Sequence, residues 1–346
     1  SMKTILAVFL VTFISCGLVL APTGLSKGPA ETANMSRDTA RVSLLMGTGM
    51  QGGTFYQVGL GLASFWTTRL RQSGIRVSAA ISEGSRENIE AVRIADADIV
   101  LVDDLIGTMA YAGSGIYRGK ALRDLRAITN LWPETVNLVV RSERVRAGNL
   151  QDLEGMVVAS GLPDSGTRLT MEILVNAVKN VRQTVRIKSM STLAAVEAFK
   201  QGSVQALDLT GGTPVPAVSI LFQEMKGSLA LLEITDPQLE SLRTEGWRNV
   251  FRNIIPAGTY SGQDRMVKSV AQMSIMATTS QLDTEVVFSL TKTLYEGLDI
   301  LIKIHPVCKE LSIDKAFQGL KIPLHPGAVL YYRQRGLKVP ESLIPQ

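Results

Sequence analysis

Histidine and cysteine are scarce in this sequence, which has two of each in 346 residues. His305 and His325 both precede a proline near the end of the chain. Metal sites need clustered His and Cys ligands, and nucleophilic catalysis needs a base beside the nucleophile. The sequence therefore predicts no metal site and no catalytic residue. If Cys16 is removed with the N-terminal segment, Cys308 has no partner for an internal disulfide.

Clustered positive charge is also missing. The 36 lysines and arginines exceed the 31 aspartates and glutamates by five, but both signs are spread along the chain. Proteins that bind nucleic acid usually concentrate Lys and Arg in one patch, with aromatic residues between them. We therefore expect no nucleic-acid partner. The 45% hydrophobic content is typical of a globular protein.

A long apolar run occurs at the N-terminus. Lys3 precedes the stretch TILAVFLVTFISCGLVLA, which ends before Pro22. A positive charge followed by an apolar segment is typical of a secretory signal, although this run is nearly long enough to span a bilayer. We expect residues 1–21 to be a signal peptide or an N-terminal anchor, with lipid attachment at Cys16 as a further alternative. Residues 22–40 predict a linker, and the protein is expected to be periplasmic.

Short apolar runs alternate with helical segments from Arg41 onward. Runs of this kind predict buried strands, and the 3.6-residue pattern predicts helices. The expected strands are 42–46, 75–81, 98–102, 155–160, 184–189, 204–209 and 269–279. The expected helices are 54–70, 85–95, 165–178, 191–202 and 283–304. This order predicts an α/β fold with parallel strands and crossover helices, arranged as two similar lobes.

The loop GTGMQGG (47–53) has the G-x-G-x-x-G spacing of a dinucleotide-binding turn and lies between a strand and a helix. Dinucleotide binding also requires an acidic residue at the end of the next strand. The strand 75–81 has none, and Glu83 comes late, in a following turn. We therefore predict no cofactor. Backbone N–H groups at the start of a helix still suit another anion, including a carboxylate.

Three further loops repeat this position after a predicted strand: 83–88, 160–168 and 210–217. In open α/β sheets, ligands bind outside the carboxyl ends of the strands. Four such loops on two lobes predict a cleft lined by hydroxyl groups and backbone donors.

The chain from Arg41 to Arg335 resembles the TAXI solute-binding proteins, the periplasmic receptors of one branch of the tripartite ATP-independent (TRAP) transporters. The stretches that carry the resemblance are MGTGMQGGTFYQVG, EGSRENIEAVRIADADIVLV, AITNLWPETVNLVVRS, SGLPDSGTR, GGTP, NIIPAGTYSGQD and IPLHPGAVLYY. The resemblance implies a type 2 periplasmic-binding-protein (Venus-flytrap) fold with two hinge-crossing strands, at about 136–141 and 274–279. Lobe 1 is then 41–137 with 277–346, and lobe 2 is 138–276.

The resemblance also implies a function. The expected protein is a monomeric receptor without enzymatic activity or cofactor. It clamps a small organic acid or amino acid of the glutamate, glutamine or 2-oxoglutarate class and delivers it to a membrane TRAP permease driven by an ion gradient. Two alternatives remain, namely an exported sensor that does not serve transport and an enzyme with a nucleotide cofactor.

Residue by residue, the resemblance assigns ligand contacts to the four glycine-containing loops. These are Gly47, Thr48, Gly49, Gly53, Phe55, Tyr56, Gly84, Ser85, Asn88, Ser165, Gly166, Thr167, Gly212, Thr213 and Pro214. Asp103 stands where many members carry glutamine, and either pairs with a ligand ammonium group or caps the helix that follows. Arg168, with Arg86 as an alternative, is a candidate partner for a ligand carboxylate.

Overall fold

The computed structural model describes residues 42–345. The predicted signal peptide or anchor (1–21), the linker (22–40) and Cys16 lie outside these residues. Among the residues described, no helix is both long enough and apolar enough to cross a membrane.

The strands of residues 42–345 form two mixed sheets. They are β1 (Val42–Gly47), β2 (Ile75–Ala80), β3 (Ile99–Asp103), β4 (Leu125–Thr135), β5 (Leu138–Arg141), β6 (Val157–Ser160), β7 (Arg186–Ser189), β8 (Ala206–Asp208), β9 (Gly211–Gly212), β10 (Leu229–Leu231), β11 (Phe251–Ile255) and β12 (Val267–Thr279). The larger sheet has the order β2-β1-β3-β12-β4-β9, with β11 paired to β12. The smaller sheet has the order β10-β5-β8-β6-β7.

Helices cover the two sheets. They are α1 (Thr54–Arg69), α2 (Ser85–Arg93), α3 (Asp104–Ala112), α4 (Gly166–Asn176), α5 (Lys179–Thr184), α6 (Thr192–Lys200), α7 (Pro216–Glu224), α8 (Asp236–Thr244), α9 (Thr284–Glu296), α10 (Leu298–Ile304) and α11 (Pro326–Gln334). We call the larger sheet with its helices the large lobe and the smaller sheet with its helices the small lobe.

Parallel pairing aligns the carboxyl ends of the strands in each lobe. In the large lobe, β1 is parallel to both β2 and β3, and in the small lobe β6 is parallel to both β7 and β8. Strand β3 is buried along its whole length because its IVLV run is covered on both faces. The loops after these strands therefore gather at one edge of each sheet.

Two strand segments connect the lobes. The chain leaves the larger sheet at the end of β4 and enters the smaller sheet at β5, through Val136 and Asn137. Strand β12 runs beside this passage: Val136 N–H donates to the Val270 carbonyl (3.0 Å), and the Ser269 hydroxyl donates to the Val136 carbonyl (2.6 Å). The predicted two-lobed α/β fold with crossing strands is confirmed, but the second crossing expected at 274–279 is wrong in position, because these residues pair with β3 and β4 inside the larger sheet and the passage lies beside Ser269 and Val270. A passage that the sequence did not predict leads from β8 back to β9 in the larger sheet.

The helix predicted over 283–304 is wrong in one respect, because it is two helices that meet at Gly297. A Cβ atom placed on Gly297 would collide with the Phe65 ring of α1. The chain breaks where it packs this closely on a neighbouring helix, and the hydrophobic pattern of the segment alone does not contain that information.

Candidate functional site

A cavity of about 80 Å³ lies between the lobes. The large lobe contributes residues from the start of α1, the β2–α2 turn and the end of β3. The small lobe contributes the loop after β6, the start of α6 and the segment after β8. Both lobes therefore present the carboxyl ends of their strands to one enclosed space, as the α/β pattern predicts.

The structure brings part of the predicted site together at this cavity. The predicted residues that line it are Gly53, Phe55, Gly84, Ser85, Asp103, Ser165, Gly166 and Thr167. The other predicted residues lie outside its lining: Gly47, Thr48, Gly49, Tyr56, Asn88, Arg168, Gly212, Thr213 and Pro214.

The first half of the glycine loop, Gly47–Gly49, holds the strand ends of the large lobe together. Thr48 donates through both its N–H (3.0 Å) and its hydroxyl (2.7 Å) to the Ala80 carbonyl. Asn88 donates from Nδ2 to the carbonyls of Thr48 (2.8 Å) and Leu101 (2.7 Å). A Cβ on Gly47 would lie 2.7 Å from Asn88 Oδ1, so this glycine permits close packing inside the lobe.

The two arginines considered for a ligand carboxylate have other partners. Arg168 Nε contacts Glu172 Oε1 at 3.0 Å along the same helix, α4. Arg86 bridges the lobes, because its Nη1 donates to the Pro163 carbonyl (2.6 Å) and its Nη2 lies 3.4 Å from Asp164 Oδ1. Neither side chain lines the cavity.

Asp103 both caps a helix and lines the cavity. Its Oδ1 accepts a hydrogen bond from Ile106 N–H (2.9 Å) at the start of α3, and the side chain also bonds Ser85. The residue is 4% exposed, and burial raises the pKa of its carboxyl to about 6. Across the cavity Asp103 packs directly against Gly166, where a Cβ would collide with Oδ2. Capping therefore does not remove this carboxyl from the cavity.

Two buried acids that the sequence analysis missed also line the cavity, Glu134 of the large lobe and Asp208 of the small lobe. Trp132 Nε1 donates to Glu134 Oε1 (2.6 Å), and burial raises the pKa of Glu134 to about 8, with a further rise from Asp103. Asp208 accepts hydrogen bonds from the hydroxyls of Ser160 (3.0 Å) and Thr210 (2.7 Å), and burial raises its pKa to about 6.

A sequence signal existed for one of these two acids. Asp208 ends an apolar strand, as Asp103 does, and strand ends are where the site was expected. Glu134 lies inside β4, where its paired position opposite Gly212 depends on a long-range contact.

The lobes are in direct contact beside the cavity. The N–H groups of Arg86 and Glu87 both donate to the Asp164 carbonyl at 3.1 Å, and Asp164 N–H donates to Glu83 Oε2 at 3.2 Å. At another point of contact, Ala217 N–H of the small lobe donates to the Gly52 carbonyl (3.0 Å). These bonds hold the two lobes closed over the cavity.

Both histidines have structural roles. His305 Nδ1 accepts from Val307 N–H (3.1 Å), and His325 Nδ1 accepts from Gly327 N–H (3.1 Å). Each Nε2 therefore carries the proton and donates to a carbonyl, of Pro214 and Leu282 respectively. Burial lowers the pKa of both rings. Within residues 42–345, no group of His, Cys, Asp and Glu side chains is arranged to hold a metal ion.

Two α/β lobes joined by crossing strands and closed over a polar cavity define the two-lobed fold of periplasmic solute-binding proteins. A family model, that of the NMT1-like family, matches residues 46–336. The chain belongs to the NMT1-like family.

Solved structures with a similar fold include three described as binding or transport proteins. The alkanesulfonate-binding protein SsuA from Xanthomonas axonopodis pv. citri is 16% identical, with 88% of this chain and 94% of that chain covered and a TM-score of 0.46. The periplasmic aliphatic sulphonate binding protein SsuA from Escherichia coli is 14% identical, with 84% and 82% covered and a TM-score of 0.44. A putative L-cystine ABC transporter from Listeria monocytogenes is 14% identical, with 79% and 98% covered and a TM-score of 0.43.

Proposed function

We propose that this chain is an extracytoplasmic solute-binding receptor that closes its lobes on a small ligand and delivers it to a membrane permease. The observation that carries the proposal is the cavity between the lobes, to which both lobes contribute polar groups and beside which direct hydrogen bonds join the lobes. Enclosure between two moving bodies removes water from the ligand and strengthens its hydrogen bonds.

The head group of an α-amino acid fits the part of the cavity where Asp103 meets α4. Asp103 provides a carboxylate for the ammonium group. The first N–H groups of a helix have no acceptor within the helix, and here they follow Ser165 beside Gly166 and Thr167. This end of α4 suits the ligand carboxylate. Asp103 and Gly166 are in contact. The place for the ammonium group and the place for the carboxylate are therefore as close together as these two groups are in an amino acid.

This geometry ranks the expected affinities of the ligands implied by the TAXI resemblance. 2-Oxoglutarate has two carboxylates and no ammonium group, and the cavity lining of the described chain includes the carboxyls of Glu83, Asp103, Glu134 and Asp208. Like charges in a buried site repel strongly. Among glutamine, glutamate and 2-oxoglutarate, we expect glutamine to bind best and 2-oxoglutarate to bind worst.

The partner in this proposal is a TRAP permease, and the receptor is exported by its N-terminal segment and acts as a monomer without a cofactor or catalytic step. The lobes that move are 41–137 with 277–346, and 138–276, except that β9, β11 and β12 belong to the larger sheet and move with the first of these bodies. A gene for a large multi-span permease next to the receptor gene supports transport, whereas a neighbouring signalling gene in its place supports sensing.

The test of the receptor function combines mass spectrometry of co-purified small molecules with calorimetry on the ligand-free protein. We expect a bound solute with an amino group, and heats of binding that saturate at one ligand per chain. A protein that carries no solute and gives no heat with any amino acid would overturn the proposal.

A further inference from the structure

The cavity has buried acidic side chains on both of its walls. Asp103 and Glu134 of the large lobe are 4% and 7% exposed, and Asp208 of the small lobe is 1% exposed. Their hydrogen bonds come from neutral groups: the Ile106 N–H, the Trp132 indole and the hydroxyls of Ser160 and Thr210. Among residues 42–345, no Lys, Arg or His side chain lines the cavity.

Closure of the lobes places these carboxyls in one enclosed space. A carboxylate that leaves water without a cation is strongly disfavoured, and neighbouring carboxylates add repulsion. In accord with this, burial raises the pKa of all three groups, and that of Glu134 is raised further by Asp103. A positively charged ligand offsets the free-energy cost of burying these carboxylates. The cavity lining of the described residues contains no cationic side chain that could offset it.

Glu134 of the large lobe and Asp208 of the small lobe face the same cavity. Glu134 pairs with Gly212 across the sheet, and a Cβ on Gly211 would be 3.9 Å from Glu134 Oε2. Asp208 precedes this segment by three residues and bonds Thr210. The proposed amino-acid head group lies at Asp103 and the start of α4, and Asp103 is near enough to Glu134 to raise its pKa further. With Asp103 paired to the α-ammonium group, Glu134 and Asp208 are the two buried carboxyls of the lining that still lack a cation.

We propose that the ligand is a basic amino acid whose ammonium or guanidinium side chain lies between Glu134 and Asp208. This inference rests on the proposed receptor function and adds the charge of the ligand. Asp103 binds the α-ammonium group of this ligand. The cationic group of the ligand side chain is then bound by the other two carboxyls, those of Glu134 and Asp208.

The remaining lining fits the aliphatic stem of such a side chain. Met50, Phe55 and Met190 line the cavity from both lobes. Methionine adapts to an unbranched chain of methylene groups, and Phe55 is held edge-on against Trp132, with ring centroids 6.1 Å apart. An organic cation is favoured over a metal ion, because the described residues offer no metal-holding group of side chains.

The test is calorimetry on the ligand-free protein with L-arginine, L-lysine, L-glutamine, L-glutamate and calcium chloride as probes. We expect L-arginine or L-lysine to bind at least tenfold more tightly than L-glutamine, and L-glutamate to bind more weakly still. Glu134→Gln and Asp208→Asn preserve the shape of the side chains and remove the charge. Each is expected to weaken binding of the basic probe at least tenfold and to weaken L-glutamine binding by a smaller factor.

The matched control is Glu285→Gln, a loss of the same charge at an exposed position on α9. It is expected to leave every affinity unchanged. Circular dichroism of each variant separates loss of binding from loss of fold, and the L-glutamine affinity provides a second check of the intact head-group site.

Proton release gives an independent readout. The pKa of Glu134 is about 8, so this group is mostly protonated at pH 7 in the empty cavity. Asp103, Asp208 and Glu83 are the other titratable groups of the lining. A cation beside Glu134 displaces its proton, so the heat of L-arginine binding at pH 7 should depend on the ionisation enthalpy of the buffer, and this dependence should shrink in Glu134→Gln.

The outcomes separate the two proposals. If L-glutamine or L-glutamate binds and neither basic probe binds more tightly, the inference of a cationic ligand fails and the receptor function stands. If calcium alone binds and its binding is lost in Glu134→Gln or Asp208→Asn, the ligand is a metal ion and the inference also fails. If no probe binds, the receptor function itself is contradicted.

Discussion

At the scale of a single residue, Asp208 illustrates how a buried carboxyl in a binding cavity lowers the stability of the folded, ligand-free protein. Its carboxyl is buried and accepts hydrogen bonds from the hydroxyl groups of Ser160 and Thr210 and from the Thr210 backbone, all of them neutral groups. In the unfolded chain the same carboxyl is surrounded by water. Because burial raises the pKa of Asp103 and Asp208 to about 6 and that of Glu134 to about 8, the folded state binds these protons more tightly than the unfolded state.

The sign of the pH dependence follows from proton linkage. Between about pH 4 and pH 8 the folded, ligand-free protein holds more protons on these three groups, so raising the pH through this window lowers their contribution to stability. Asp208→Asn should abolish the contribution of one group. We expect the melting temperature of this variant to rise relative to wild type by a few degrees between pH 5 and pH 8, on the scale of about 1 kcal/mol.

Thermal unfolding at several pH values measures this effect. Asp264→Asn, at an exposed position, is the control and should follow wild type at each pH. If the difference in melting temperature between Asp208→Asn and wild type is the same at pH 5 and pH 8, burial does not raise the pKa of Asp208.

Asp103 combines two roles that substitution can separate. Asn is as good an N-cap as Asp, whereas Ala removes the acceptor for Ile106 N–H at a cost of about 1 kcal/mol. We expect Asp103→Asn to keep or raise the stability and to weaken L-glutamine binding at least tenfold. Asp103→Ala should lose both the cap and the affinity.

Urea unfolding and calorimetry on both variants test this separation. Glutamine affinity that remains at the wild-type level in Asp103→Asn would assign Asp103 to capping alone. The ammonium contact would then have to be made by another group.

At the scale of elements, the start of α4 lies close against the opposite lobe because residue 166 is a glycine and has no side chain. A Cβ on Gly166 would collide with Asp103 Oδ2, although alanine is acceptable in the first turn of a helix. Gly166→Ala should therefore fold with unchanged helix content but fail to close, with at least a tenfold loss of affinity for whichever probe binds wild type.

Scattering and calorimetry on this variant check the prediction, with Glu172→Ala, an outward-facing change on the same helix, as the control. Wild-type affinity in Gly166→Ala would show that the lobes tolerate a wider separation when ligand is bound.

The contact between the start of α2 and the loop after β6 predicts a kinetic effect. Arg86 and Asp164 form a partly exposed ion pair, and such pairs contribute about 0–1 kcal/mol. The backbone bonds from Arg86 and Glu87 to Asp164 remain when the side chain is removed. We expect Arg86→Ala to raise the ligand dissociation rate two- to fivefold with little change in melting temperature, measured by stopped-flow fluorescence.

At this scale the sequence predicted those strands and helices whose pattern is contained in a short stretch of neighbouring residues. The apolar runs before residues 47, 103 and 208 and the helical patterns predicted over 54–70, 85–95, 165–178 and 191–202 are contained in short windows, and each corresponds to an element of the structure. The passage to β9, the break at Gly297 and the place of Glu134 depend on contacts with Trp132, Phe65 and other distant residues. No periodicity encodes such contacts, so the acidic character of the cavity was recognised only in part.

At the scale of the whole molecule, the acidic walls couple ligand charge to lobe closure. In the proposed receptor, opening separates Asp208 of the small lobe from Asp103 and Glu134 of the large lobe, whereas closure without a cation brings the three carboxyls together. A ligand shifts the equilibrium between open and closed states only by its preference for the closed one. The basic amino acid has this preference because it supplies the charge that the closed cavity lacks.

Small-angle X-ray scattering of the ligand-free protein during titration tests this central claim most directly. The account predicts that L-arginine or L-lysine decreases the radius of gyration, that the change saturates at one ligand per chain, and that Glu134→Gln and Asp208→Asn shift it to higher concentrations. A radius of gyration that stays constant at saturating concentrations of the basic amino acids and of L-glutamine would contradict it.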